Sequence, residues 1–199
     1  MSFLTGELMN AARGDVLNFG TALLGSRAGE HVFDVQPHSP LHPYETLTNN
    51  TDWVKSSLLT LIGFAVYELL VRRYINTDGV SQNKGIKLAL DDLLKFGTMY
   101  IAYRLMTREP LNDANWVKEV TYILAGLMSY DFVVRYGVKS VYDTSKLSVN
   151  AQMAVDDTVK YTTMFVVSRW LSGKAFDKEW AVTAGGFVVG AAAYDYLLA

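Results

Sequence analysis

The chain repeats one pattern of residues three times. Residues 91–104, DDLLKFGTMYIAYR, align with residues 156–169, DDTVKYTTMFVVSR, and residues 15–27, DVLNFGTALLGSR, align with residues 92–104. Each copy is followed by a Trp, a Gly ten positions later and a Tyr–acid pair beyond it. These are Trp53, Gly63 and Tyr67–Glu68; Trp116, Gly126 and Tyr130–Asp131; and Trp180, Gly190 and Tyr194–Asp195. A recurrence of this kind indicates one supersecondary unit used three times.

Each unit contains two apolar stretches, which predict a helical hairpin. The first stretch, helix A, covers about 15–25, 91–106 and 156–171, and the second, helix B, covers about 53–75, 116–138 and 180–198. The β-branched content of TMFVVSRW would suit a strand, but the length of the stretches and their lack of alternation favour helices. We therefore predict a single all-α domain over 1–199, with repeats of approximately 13–78, 89–143 and 154–199.

The next question is whether these helices lie in water or in lipid. Half of the residues are hydrophobic and 19% are charged, which suits both a small multi-pass membrane protein and a soluble helical bundle. Residues 180–199 hold one charge, Asp195, over about the length that crosses a bilayer. Helix B has no polar face at the helical period. We favour a six-helix membrane bundle built from three tandem hairpins, with both termini on one side, and a weak excess of Lys and Arg in the loops there favours the cytoplasmic side.

Small residues recur in helix B. Gly63, Gly126 and Gly190 occupy one position of the repeat, and Gly186 forms a G-x-x-x-G with Gly190. Small residues let helix backbones approach closely in lipid. We expect these four glycines at helix contacts inside the monomer, and a contact between subunits is the alternative.

An acid follows the Tyr of each helix B. Glu68, Asp131 and Asp195 lie about 22 Å along the helix from their Trp, which in an antiparallel hairpin is level with the start of helix A. We therefore predict the charge pairs Lys95–Asp131 and Lys160–Asp195. A proton or ion path is the functional alternative, because buried ionisable groups are costly in membranes. Asn18 stands where the other repeats have Lys, and this favours a structural pair.

The first repeat carries a Pro/His-rich insertion, residues 28–52, with all three His and three of the four Pro. Insertions in repeat proteins often form a binding face. We predict a partner-binding loop with His31, Asp34, His38, Pro40, His42, Pro43 and Tyr44. A metal site at His38 and His42 is not expected, because a Pro-rich loop lacks helical i, i+4 geometry. Asn49 begins a glycosylation sequon.

Several functional classes lack their sequence signals. The net charge of −2 gives no electrostatic footprint for nucleic acid, and the absence of Cys excludes disulfides and thiolate chemistry. The N-terminus has no basic segment before an apolar core, so no secretory signal is expected. Phosphate-loop, H-E-x-x-H and G-x-S-x-G motifs do not occur. The acid pairs at 91–92 and 156–157 are explained by helix capping and the helix dipole. We expect neither enzymatic activity nor a cofactor.

The motif DDTVKYTTMFVVSRWLSGKAFDKEW (156–180), with apolar segments of the type TDWVKSSLLTLIGFAVYELLV (51–71), resembles small multi-pass membrane proteins of large double-stranded DNA viruses of algae and amoebae. The resemblance covers most of the chain outside the insertion. It implies a virion component of the internal membrane beneath an icosahedral capsid, present in host endomembranes during assembly, without known catalysis. The partners would be the lipid bilayer and capsid or other virion membrane proteins, and self-association is left open. We predict a structural membrane protein; a small channel or transporter and a soluble helical scaffold are the alternatives.

Overall fold

A computed structural model describes residues 2–43, 45, 47–75, 84–135 and 144–198. Over these ranges the chain is all-helical, with no β-strand, so the predicted all-α class is confirmed. Six long helices follow one another: α1 Ser2–Val32, α2 Asn50–Val66, α3 Lys84–Thr107, α4 Ala114–Ser129, α5 Val149–Leu171 and α6 Lys178–Leu197. Two of them continue through π-helical turns, α2 at Tyr67–Val71 and α4 at Tyr130–Val134, and α2 then ends with Arg72–Tyr74.

The first helix of each predicted hairpin is longer than expected. The sequence placed these helices from residues 15, 91 and 156, whereas α1 begins at Ser2, α3 is helical from Lys84, and α5 begins at Val149. Predicted helix B of the second repeat runs to residue 138, and its last part lies outside the described residues.

The D-x-x-W motifs begin α4 and α6. The carboxylate of Asp113 accepts a hydrogen bond from the backbone N–H of Trp116, and Asp177 does the same for Trp180, both at 2.8 Å. These bonds satisfy an N–H group that the helix itself leaves without a partner. Arg104 lies 5.3 Å from the centre of the Trp116 ring, so the end of α3 is held against the start of α4.

The helices pack in a closed order. Each of α2, α4 and α6 has its closest packing partner in the next unit: α2 packs on α3, α4 on α5, and α6 back on α1. The members of each predicted hairpin, α1 with α2, α3 with α4 and α5 with α6, also lie in contact. Packing of the last helix on the first leaves no open edge to the bundle.

The closest approaches occur at glycines. A Cβ on Gly63 would lie 2.9 Å from the Cα of Met99, and a Cβ on Gly126 would lie 2.4 Å from the carbonyl oxygen of Met164. In both cases the backbones of the two helices meet at a distance that only glycine permits.

The contact of α6 with α1 uses two glycines. A Cβ on Gly190 would lie 2.3 Å from the carbonyl oxygen of Thr21, and one on Gly186 would lie 2.5 Å from that of Gly25. The four glycines that the sequence pointed to thus all lie at helix contacts within the chain.

An aromatic cluster fills the middle of the bundle. The rings of Phe19 and Phe64 stack with centroids 3.7 Å apart, and the ring of Phe96 packs edge-on against both. Tyr161 and Phe187 continue the cluster with centroids 5.3 Å apart. All five side chains are buried.

The Pro/His-rich insertion closes one end of the bundle, and part of it belongs to the core. The His42 ring is fully buried, stacks on Tyr103 at 3.9 Å between centroids, and lies 2.8 Å from the Thr60 hydroxyl. The Tyr100 hydroxyl donates to the carbonyl oxygen of Leu41. The prediction of a partner-binding loop is therefore wrong for His42 and also for the buried Pro40, because the aromatic faces and hydroxyls of α3 draw this segment inward.

The other residues predicted for that loop differ in position. His31, Asp34 and Pro43 are exposed, and His38 is partly buried, with its backbone N–H donating to Glu30. Tyr44 lies outside the described residues.

The outward faces of the helices are apolar. In a long stretch along each helix no charged residue is exposed. These stretches are 14–27, 56–71, 92–106, 119–134, 157–171 and 180–198. The exposed side chains in these ranges include Leu24, Leu58, Ile62, Ile101, Leu105, Val133, Val166, Trp170 and Val189.

One helix in the described part of the chain, Asn50–Tyr74, is long and apolar enough by composition to cross a membrane. The other stretches that the sequence proposed as spans do not meet the same test. In α3 and α5 the physical reason is the set of acids, Lys and Arg that these helices direct into the bundle.

Candidate functional site

A cavity of about 980 Å³ lies at one end of the bundle, between the first halves of α1, α3 and α5 and the ends of α2, α4 and α6. Phe19, Phe96 and Tyr161 line its inner end, next to the aromatic cluster. These three residues hold one position of the aligned repeats. The aromatic cluster therefore closes the cavity towards the middle of the bundle.

The first group of charges in the cavity surrounds Lys95 of α3. Its Nζ lies 2.9 Å from Oδ2 of Asp15 and 3.3 Å from Oε1 of Glu68. Nη1 of Arg72 lies 2.7 Å from Oε2 of Glu68. Two acids from α1 and α2 are thus neutralised by two cations, and we call Asp15, Glu68 and Lys95 the first site.

The second group surrounds Lys160 of α5. Its Nζ lies 2.6 Å from Oδ2 of Asp92. The Asp131 side chain is fully buried within electrostatic reach of Lys160, and Nη1 of Arg135 lies 3.9 Å from its Oδ1. We call Asp92, Asp131 and Lys160 the second site.

The third group has no lysine. Nδ2 of Asn18 donates to Oδ2 of Asp157 and to Oδ1 of Asp195, each at 3.1 Å. Asp195 is only 3% exposed. We call Asn18, Asp157 and Asp195 the third site.

The three sites share one arrangement. Each combines an acid from helix A, the acid that follows Tyr in helix B of the same unit, and a nitrogen from helix A of the next unit, with α1 following α6. This differs from the predicted pairs. Lys95 forms an ion pair with Glu68, whereas the predicted partner was Asp131. Lys160 forms an ion pair with Asp92, whereas the predicted partner was Asp195. The reason is that each helix B packs most closely on helix A of the following unit.

Sequence reasoning missed four members of these sites: Asp15, Asn18, Asp92 and Asp157. The signal was present, because the three acids recur at one repeat position, but the acid pairs were assigned to helix capping. That assignment is wrong for Asp92 and Asp157, because α3 is already helical at Lys84 and α5 begins at Val149. An acid more than a turn inside a helix cannot cap it, and the side chains of Asp92 and Asp157 line the cavity.

The π-helical turns lie at the acids of helix B. Glu68 follows Tyr67 in the first turn, and Asp131 follows Tyr130 in the second. The Tyr67 hydroxyl donates to Asp91, and the Tyr130 hydroxyl donates to Asp156. Such turns often occur at functional sites. In α6, by contrast, the helix is regular through Asp195.

The opposite end of the bundle carries a separate polar network. Glu45 accepts hydrogen bonds from the hydroxyls of Tyr103, at 2.7 Å, and Ser56, at 3.1 Å. Burial raises the pKa of Glu45 and lowers the pKa of His42 from 6.5 to about 3. Among the described residues, no group of three or more His, Asp or Glu side chains is placed to hold a metal ion.

No family model, curated protein or solved structure matches the chain.

Proposed function

We propose that the protein is a multi-pass membrane protein that binds a small charged solute in its cavity. The observation that carries the proposal is the distribution of polarity: the exposed faces of the helices are apolar, while the acids and lysines of the repeats point into the bundle. Contiguous exposed apolar surface is rare in soluble monomers, and ionisable residues in membrane helices face the bundle interior.

We also propose that the bundle is a ring of three helical hairpins. This is supported by the glycine contacts, which recur at one repeat position. Gly63, Gly126 and Gly190 meet helix A of the next unit at residues that the alignment matches, namely Met99, Met164 and Ala22. The ring would place both termini at the open end of the cavity.

Lysine substitutions on α2 test the membrane location. Ile62 is 47% exposed at the middle of the helix, whereas Thr51 is exposed in its first turn. In lipid, a lysine near the centre of a spanning helix costs about 2.5–3.5 kcal/mol. We expect Ile62→Lys to reduce the fraction of protein that resists alkaline extraction and requires detergent, and Thr51→Lys to leave it unchanged. Equal, small effects of both variants on a protein that is soluble without detergent would instead favour the soluble scaffold.

The cavity favours solute binding over a purely structural role. A rigid anchor would be served by an apolar interior, which membrane bundles build from small and aliphatic residues. Here six acids and four cations line the cavity instead. The channel or transporter role is tested by ion or solute flux in proteoliposomes, which should fall in Asp131→Asn. Because the aromatic cluster closes the inner end, flux would require Phe19 and Phe96 to move.

The role of a structural protein in a virion membrane stays a prediction. Contact with capsid proteins would use the exposed part of the insertion, which contains His31, Asp34 and Pro43. Copurification with assembled virions, and release from them only by detergent, is the measurement that tests it.

A further inference from the structure

Among the described residues, no cation forms an ion pair with the acids of the third site, in contrast to the other two sites. The first site sets Lys95 and Arg72 against its two acids, and the second sets Lys160 and Arg135 against its two. In the third site the lysine position is Asn18. The arginine position, four residues after the helix B acid, falls at Ala199 in the sequence.

Two acids, close enough for a hydrogen bond between their own side chains, therefore share one neutral amide. Asp157 and Asp195 both lie 3.1 Å from Nδ2 of Asn18, and Asp195 is almost fully buried. A buried charge that lacks a countercharge is costly, and an amide hydrogen bond does not supply one. Lys160 is within electrostatic reach of both carboxylates, but its Nζ is held at 2.6 Å by Asp92 of the second site, so one ammonium serves the acids of two sites.

The third site also holds an unused ligand atom. Oδ1 of Asn18 is buried and has no hydrogen-bond partner among the described residues, and Asn18 lines the cavity. Rotation of the side-chain amide exchanges Oδ1 with Nδ2, which turns the carbonyl oxygen towards the two carboxylates. Three oxygen ligands then face one point, and oxygen is the ligand atom that hard cations prefer.

We propose that Asn18, Asp157 and Asp195 bind a monovalent cation, an alkali ion or an ammonium group, at the position that a lysine amino group occupies in the first and second sites. The first site is the internal precedent, because there a single ammonium lies beside both acids, and in the second site the ammonium lies beside Asp92 and within electrostatic reach of Asp131. Asn is shorter than Lys, so the substitution leaves room for the ion, which reaches the site through the open end of the cavity. This inference rests on the proposed solute-binding role of the cavity and names the class of solute.

The experiment compares thermal unfolding of the purified protein in detergent at constant ionic strength. The chloride salts of Na⁺, K⁺, ammonium and tetramethylammonium are exchanged, the last being too large for the site. A tenfold stabilisation of the folded state corresponds to a rise in Tm of roughly 3–6 °C for a chain of this length. We expect a rise of this size in one or more of the small cations relative to tetramethylammonium.

Two variants and a control assign the response to the site. Asn18→Lys places a covalent ammonium there, so its Tm in tetramethylammonium should reach the cation-bound value of the wild type and should no longer depend on the salt. Asp195→Asn removes a ligand and half of the negative charge, so it should also lose the dependence, and it decides the question if Asn18→Lys does not fold. Asp34→Asn, which removes a carboxylate from an exposed loop, should respond like the wild type.

Three results would overturn the cation site: a wild-type Tm that is equal in all four salts, a Tm that changes with pH but not with the cation, and an unchanged salt response in Asp195→Asn. The second result would mean that the acids share a proton. None of these measurements depends on membrane insertion or on flux, so the proposed membrane location and transport role stand or fall separately.

Discussion

Substitution of Gly190 by Ala tests the closure of the bundle. The new Cβ would lie 2.3 Å from the carbonyl oxygen of Thr21 and 2.8 Å from the Cα of Ala22, whereas ordinary contacts are 3.4–4 Å. Both contacts are to backbone atoms of α1, so relief requires α6 to move away by about 1 Å. Overpacking of this kind costs about 1–3 kcal/mol, and the higher helix propensity of Ala returns about 1 kcal/mol. The difference leaves a net loss of roughly 1 kcal/mol.

Gly185 provides the matched control on the same helix. A Cβ at Gly185 would have no heavy atom within 4 Å, so Gly185→Ala changes helix propensity without a steric cost. In detergent, Gly190→Ala should lower the Tm by roughly 2–4 °C, and Gly185→Ala should leave it unchanged or raise it by about 2–4 °C. If the two variants unfold at the same temperature, α6 does not pack on α1 as described, and the closed order of helices is wrong.

Three further predictions concern single contacts. Lys160→Ala should cost about 3 kcal/mol, since it leaves Asp92 buried without its partner, and the loss should be smaller in the double variant with Asp92→Ala; additive effects in this double-mutant cycle would exclude the pair. His42 is neutral in the folded protein and takes up a proton below pH 6.5 when unfolded, so stability should fall with acidity, by about 2 kcal/mol at pH 5 relative to pH 7.5. The raised pKa of Glu45 acts with the opposite sign, so the effect is measured as the difference in pH profile between wild type and His42→Gln; identical profiles would contradict it. Asp113→Ala removes the N-cap of α4 and should lower the free energy of unfolding by about 1 kcal/mol in denaturant titrations, and no change would show that this bond adds nothing.

The local organisation of the chain could be predicted from the sequence because it depends on neighbouring residues. Apolar stretches of helical length indicated the all-α class, and the predicted starts of helix B at 116 and 180 lie within two residues of the starts of α4 and α6. Glycine recurrence identified Gly63, Gly126, Gly186 and Gly190 as contact positions, because a side chain that is missing at the same place in every unit indicates close approach of another helix.

The composition of the charged sites could not be predicted in the same way. The sequence identified Lys95, Asp131, Lys160 and Asp195 as interacting residues but paired each lysine with the acid of its own hairpin. Pairing depends on which helix lies nearest in space, and a hairpin pattern does not state how one hairpin packs on the next. The contact of Asn18 with two carboxylates could not be predicted either. The sequence shows that Asn18 replaces a Lys, but only the structure shows that Asp157 and Asp195 lie beside it.

Apolar stretches of helical length, and acids and glycines at recurring positions, are evident in the sequence alone. Three features became apparent only in the folded chain: α6 packs on α1, charged residues from the six helices lie at one end of the bundle, and His42 of the insertion is buried. The physical reason is the range of the interactions. Helix formation and capping act over about four residues, whereas the closing contacts, such as Gly190 with Thr21 and Asn18 with Asp195, join residues near opposite ends of the chain.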